Sequence, residues 1–151
     1  MTHAFDYQLA FDRNIGWVTE PEQQVLRSKR VAIAGMGGVG GVHVVTLARL
    51  GVQRFNIADF DTFDIANFNR QVGATMSSLG RPKADVLAEM VRDINPEADV
   101  RVYPAGIDDG NVAVIVRHVE GQDVLTEVLD GGVLKSAKAL SVPGATLTAA
   151  A

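Results

Sequence analysis

Arg30-Val31-Ala32-Ile33-Ala34-Gly35-Met36-Gly37-Gly38-Val39-Gly40-Gly41-Val42 is the run on which the fold turns. The apolar residues after Arg30 read as a buried strand. Gly35 to Gly41 then holds five glycines in seven residues. A helix does not survive that density, because each interior glycine costs about 1 kcal/mol relative to alanine. Val42 to Leu50 reads as a helix, and Gly51 is a natural stop. Strand, glycine loop and helix form the setting in which G-x-G-x-x-G has chemical meaning. Glycine permits the turn and a close backbone approach, and the amides at the helix N-terminus point at an anion. Gly35, Gly37, Gly38 and Gly40 are therefore the expected phosphate-lining positions. The same run disposes of a membrane reading. Residues 31–48 lack formal charge over the length of a minimal span, but the glycines divide them into a strand, a loop and a helix.

Outward from this run, strands and helices alternate. Phe55 to Ala58 reads as a second strand, ending at Asp59 and Asp61. A carboxylate in that position can accept hydrogen bonds from ribose hydroxyls. Residues 60–82 look irregular. Lys83 to Asn95 reads as a helix with Leu87, Met90, Val91 and Ile94 on one face, closed by Asn95-Pro96. Val100 to Tyr103 reads as a third strand. Asn111 to Val119 fits either a strand or a crossover helix. Asp123 to Leu129 reads as a fourth strand, Lys135 to Leu140 as one or two helical turns, and Ala145 to Ala149 as a fifth strand. Ahead of the sheet, residues 5–28 read as an arm with a short helix begun at Thr19-Glu20-Pro21-Glu22. Phe5, Phe11 and Trp17 are expected to pack this arm against the domain or a partner. The fold class is α/β: a Rossmann-like, mostly parallel sheet flanked by helices, with a helical arm over residues 1–29 and a nucleotide-binding domain over 30–151.

Composition narrows the function. The chain has 151 residues, 47% of them apolar, and a net charge of −4 from 14 basic and 18 acidic side chains. That balance disfavours general nucleic-acid binding and a membrane-surface role. With no cysteine, the chain has no disulfide, thiolate metal site or thioester, as fits a cytoplasmic protein. His3, His43 and His118 share no ligand spacing.

The glycines alone do not choose between a nicotinamide cofactor and a nucleoside triphosphate. The segment after the second strand does. Asn67-Phe68-Asn69-Arg70-Gln71 and Gly80-Arg81-Pro82-Lys83 place two cations and several amides where they can reach the negative end of a bound nucleotide. Arginine and lysine there offset triphosphate charge and the charge that builds during nucleotidyl transfer, which a redox site does not need.

These residues carry a resemblance. Residues 5–130 are similar to the bacterial ThiF/MoeB-type, E1-like adenylyltransferases. The likeness rests on Phe11-x-Arg13-Asn14-x-Gly16, Gly35-x-Gly37-Gly38-Val39-Gly40-Gly41, Asp59-x-Asp61, Asn67-x-x-Arg70-Gln71, Gly80-x-x-Lys83 and the run from Asp123 to Asp130. The resemblance implies ATP and Mg2+ as cofactors. It implies adenylation of a carboxylate, usually the C-terminus of a ubiquitin-like sulfur-carrier protein. It places Gly37 and Gly40 on the phosphates, Asp59 on the ribose, and Asn67, Arg70 and Lys83 on the triphosphate, with Asp61 and Gln71 as further nucleotide-site candidates. Asp130 is the implied Mg2+ ligand. Arg13 is implied to reach the nucleotide of a partner subunit, hence a homodimer. The family pattern runs on past Asp130, so residues 30–151 are expected to be a shortened form of the domain, and Glu127 stands where an aspartate is usual. Two other readings stay open: a nucleotide-binding or dimerisation module without full activity, and an NAD(P)-binding oxidoreductase domain.

Overall fold

The computed structural model describes residues 4–107, Leu129–Asp130 and Val133–Leu134. Three five-residue strands, β1 (Arg30–Ala34), β2 (Arg54–Ala58) and β3 (Asp99–Tyr103), form a parallel sheet in the order β1-β2-β3. Parallel neighbours need a crossover, and the helices supply it: α3 (Gly40–Arg49) joins β1 to β2, and α4 (Lys83–Ile94) leads into β3. The open, parallel, helix-flanked sheet is the Rossmann-like architecture that the sequence announces.

Alternation along the strands explains which face the helices cover. Val31, Ile33, Phe55, Ile57, Val100 and Val102 share one face by the period of two. They form one core with Val44 and Ala48 of α3 and Ala84, Leu87, Ala88 and Val91 of α4. The opposite face carries Arg30, Asn56 and Asp99 in a polar cluster. Arg30 donates to the side-chain oxygen of Asn56 at 3.1 Å and pairs with the Asp99 carboxylate.

Register places the site. Ala34, Ala58 and Tyr103 pair across the sheet, so the three strands end side by side. The Gly35 amide then donates to Ala58 O at 2.8 Å, and Asp59 N donates to Tyr103 O at 3.3 Å. The glycine loop and the acid after β2 therefore leave the sheet as neighbours at its carboxyl edge, where ligands bind in open α/β sheets.

The arm contains two helices where one was expected: α1 (Tyr7–Phe11) and α2 (Glu20–Ser28), with a 3-10 turn over Asp12–Asn14. Five residues are too few for α1 to show a periodic signal. The start of α2 is as read: Thr19 and Glu22 form a reciprocal capping box, with proline in the first turn. The arm seizes the other end of α3. Tyr7 Oη donates to Gly51 O at 2.6 Å, Gln23 Nε2 to Leu50 O at 2.9 Å and Asn14 Nδ2 to Leu50 O at 3.2 Å. These carbonyls are among those that a helix C-terminus leaves without internal partners. Gly51 turns the chain here at φ +93°, and an added Cβ would lie 2.3 Å from Gln23 Nε2. Arg27 stacks on the Tyr7 ring, 4.3 Å from its centroid. Phe5 and Phe11 do pack within the arm, whereas Trp17 is 94% exposed and does not pack against the domain.

Beyond β3 the expectations meet a correction. The sequence predicts Leu129 at the end of a fourth strand of the parallel sheet. Instead β4 (Leu129–Asp130) pairs antiparallel with β5 (Val133–Leu134), as a separate two-stranded ladder. The expected elements at residues 111–119, 135–140 and 145–149, and the rest of that fourth strand at 123–128, lie outside the described residues. No helix among the described residues is long and apolar enough to cross a membrane. The 31–48 stretch is β1, the glycine loop and most of α3.

Tyr7 yields a pH prediction. Burial pushes its phenol above the ordinary 10.0, against smaller opposing effects of Gln23 and Arg27. A folded value above the unfolded one gives stability that is complete below about pH 10 and is lost as pH rises through the folded value. Tyr7→Phe is expected to cost about 1 kcal/mol at neutral pH. It should also flatten the alkaline decline in denaturant-unfolding free energy. An alkaline limb unchanged in the variant would contradict this role.

Candidate functional site

The glycine loop is shaped by one close approach. A Cβ on Gly40 would lie 1.8 Å from Gly35 O, so no other residue fits the start of α3. Gly35 itself sits at φ +81°. Val39 caps α3 without a side-chain hydrogen bond, which leaves the first-turn amides free of any side-chain oxygen. Such amides, at the positive end of the helix, are an anion site in waiting. Met36 points the other way and is fully buried in the core.

Asp59 holds this loop to β2. Its Oδ2 accepts from Met36 N at 2.5 Å, and its Oδ1 accepts from Asp61 N at 2.7 Å. The side chain expected to take ribose hydroxyls is thus already a bracket between the glycine loop and the turn after β2. Each carboxylate oxygen has a second lone pair, so the bracket does not preclude a ligand contact.

Residues 60–82, which read as irregular, form a loop closed at its base. Lys83 N donates to Asp61 O, Phe63 N to Arg81 O and Gly80 N to Phe63 O, all within 3.0 Å. Phe63 anchors the loop in the core and is 2% exposed. A Cβ on Gly73 would lie 2.6 Å from the Phe63 ring and 2.7 Å from Leu87. A 3-10 turn, Ile65–Asn67, is capped reciprocally by Asp64 and Asn67, with the Asn67 side-chain oxygen accepting from Asp64 N at 2.9 Å. Phe63 and Asp64 give no sign of this role in the sequence. The glycine in a polar loop is the one signal of the anchoring.

This closure brings most of the expected residues together. Arg70 O lies 3.5 Å and Arg70 Cγ 3.9 Å from a Cβ built on Gly38. The arginine therefore stands beside the glycine loop, with its exposed guanidinium donating to Ala66 O at 2.8 Å and Asn69 Oδ1 at 2.9 Å. Gln71 is 8% exposed and lies against Gly37, with its Nε2 3.7 Å from the built Cβ. Its Oε1 has no hydrogen-bond partner among the described residues, which is costly for a buried amide. Lys83 opens α4 and is 6% exposed, and its Nζ donates to Asp61 Oδ2 at 3.0 Å. One continuous path of bonds thus runs from Met36 through Asp59 and Asp61 to Lys83.

Arg13 does not join this cluster. Arg13 sits in the 3-10 turn of an arm anchored at the C-terminal end of α3, while the glycine loop is at its N-terminal end. Ten helical residues separate these ends by about 15 Å. Asp130 lies on β4, and its side chain is outside the described residues. Among the described residues, no group of three or more His, Cys, Asp or Glu could hold a metal ion.

Comparison with known proteins agrees with this fold. The ThiF family model matches residues 11–136. The tRNA threonylcarbamoyladenosine dehydratase of Bacillus subtilis is 41% identical over 60% of this chain and 35% of its own length. The molybdopterin-synthase adenylyltransferase of Escherichia coli is 32% identical over 62% of this chain and 38% of its own length. A crystal structure of the Escherichia coli dehydratase in complex with ATP superposes with a TM-score of 0.72 at 30% identity, covering 78% of this chain and 48% of that one. The chain spans between about a third and a half of the length of these proteins.

The bracket role of Asp59 separates from a ribose role by stability. Asp59→Ala leaves the Met36 amide without its acceptor and is expected to cost about 2 kcal/mol in urea unfolding without nucleotide. An unchanged unfolding free energy would leave Asp59 with no part in holding the loop.

Proposed function

This chain belongs to the ThiF family, and on that premise we propose that it binds MgATP over the glycine loop and transfers the adenylyl group to a carboxylate. The observation that carries the reading is the meeting of two separate segments: Arg70 and Gln71 stand over Gly37 and Gly38, at the open amides of α3. In the proposed reaction a carboxylate oxygen bonds to the α-phosphorus. The bridging bond from the α-phosphorus to the β-phosphate breaks, and its electron pair leaves with pyrophosphate. The carboxylate is ionised at neutral pH, so no general base is required. What the protein must supply is position and charge, since two anions have to meet.

The α3 amides take up the phosphates, Arg70 and Lys83 offset their charge, and Gln71 Oε1, an acceptor, takes a hydroxyl or amino donor of the nucleotide. Arg70 has five N–H donors and uses only Nη1 on its own loop. Magnesium usually binds through one or two carboxylates together with substrate phosphates, and on this reading it arrives with ATP. Asp130 remains its proposed protein ligand. Arg13, remote from the glycine loop of its own chain, acts across a homodimer on this reading.

The acceptor is a carboxylate whose carrier the relatives leave divided. One relative is named for threonylcarbamoyladenosine on tRNA and another for molybdopterin synthase. A ubiquitin-like protein tail is the first acceptor to test and a tRNA-borne carboxylate the second.

Titration calorimetry should show binding of MgATP and no competition from NAD+. Exchange of labelled pyrophosphate into ATP, dependent on added carboxylate, should fall at least about a hundredfold in Arg70→Ala and in Lys83→Ala. ATP binding without exchange on either acceptor class would leave a nucleotide-binding module. Preference for NAD+ would overturn the reading.

A further inference from the structure

Among the described residues, Asp61 and Lys83 form the one ion pair of the site, and it is lopsided. The lysine side chain is 7% exposed and the aspartate side chain 55%. Burying a charge is costly without a partner, and Asp61 Oδ2 at 3.0 Å supplies one to the lysine. The two residues are also joined through the main chain, Lys83 N to Asp61 O at 2.9 Å. Asp61 N is in turn fastened to the Asp59 carboxylate at 2.7 Å, and that carboxylate holds the glycine loop through Met36. The ammonium is thereby referenced to the phosphate-binding amides through a short series of bonds. One of its three N–H groups goes to Asp61, which leaves two for an anion.

We propose that Asp61 is a positioning residue rather than a nucleotide contact: it aims the Lys83 ammonium at the polyphosphate. The inference rests on the reading above in which Lys83 meets that polyphosphate. Two opposed effects make it testable. A carboxylate near a polyphosphate repels it, so deleting a merely neighbouring charge tightens ATP binding. A positioning carboxylate works the other way. Without it the lysine chain regains rotamer freedom and binding weakens.

The test is a double-mutant cycle on the 151-residue chain, read as MgATP affinity with adenosine as the phosphate-free control. Lys83→Ala and Asp61→Ala should each weaken MgATP about tenfold and leave adenosine unchanged. In the Lys83→Ala background, Asp61→Ala should change MgATP affinity by less than about twofold, because nothing is left to aim. Asp61→Asn keeps an acceptor oxygen and should stay within about threefold of the parent. Circular dichroism checks folding, and Asp61→Ser carries the same expectation should the alanine variant not fold. Equal loss in both lysine backgrounds would overturn positioning in favour of direct contact, and tighter binding in Asp61→Ala would reduce Asp61 to a bystander. Full MgATP affinity in Lys83→Ala would instead overturn the lysine's own role, whatever the aspartate variants do.

Discussion

The carboxylate of Asp59 is where two strand ends become a site. β1 and β2 finish side by side because a parallel sheet in register requires it, and the chain then diverges into a glycine loop and a long excursion. Asp59 joins them again, accepting Met36 N with one oxygen and Asp61 N with the other. Hydrogen bonds to a charged acceptor are worth about twice neutral ones, and this acceptor is nearly buried. The glycine loop, the amides of α3 and the base of the loop at 61–83 are all oriented by this one group.

Around that bracket the molecule is divided between rigid and open parts. The core face of the sheet is closed by α3 and α4, and the arm closes the far end of α3 through Tyr7, Asn14 and Gln23. Among the described residues the near end of α3 has no such cover: its N-cap Val39 makes no side-chain hydrogen bond, and the nearby Gln71 Oε1 has no partner. A helix with its C-terminus satisfied by protein and its N-terminus left open is polarised for an anion. The cations are prepared differently. Lys83 is buried and held by Asp61, whereas Arg70 is exposed and bonded only within its own loop.

The fold was legible because its determinants are local. Apolar runs of strand length, a glycine cluster that no helix interior tolerates, and a periodic face at Leu87 and Val91 each carry their meaning within a dozen residues. Membership of the site was legible as a set of motifs, but the wiring was not. The pairing of Asp61 with Lys83 spans 22 positions and follows from closure of a loop without periodicity. The bracketing of Met36 by Asp59 depends on strand register. Both assign the two aspartates structural tasks that their spacing alone presents as ligand contacts. The short helix α1 and the antiparallel pairing of Leu129 were missed because five-residue and two-residue elements offer no pattern to count.

The central claim is that residues from the 61–83 loop and the amides opening α3 form a single polyphosphate site. A crystal structure with a non-hydrolysable ATP analogue and Mg2+ tests it most directly. The account predicts phosphates over Gly37 to Gly41, the Gln71 amide engaged, and Lys83 Nζ and the Arg70 guanidinium within hydrogen-bond reach of phosphate oxygens. A nucleotide bound away from these amides, with Arg70 still turned onto Ala66, would contradict it.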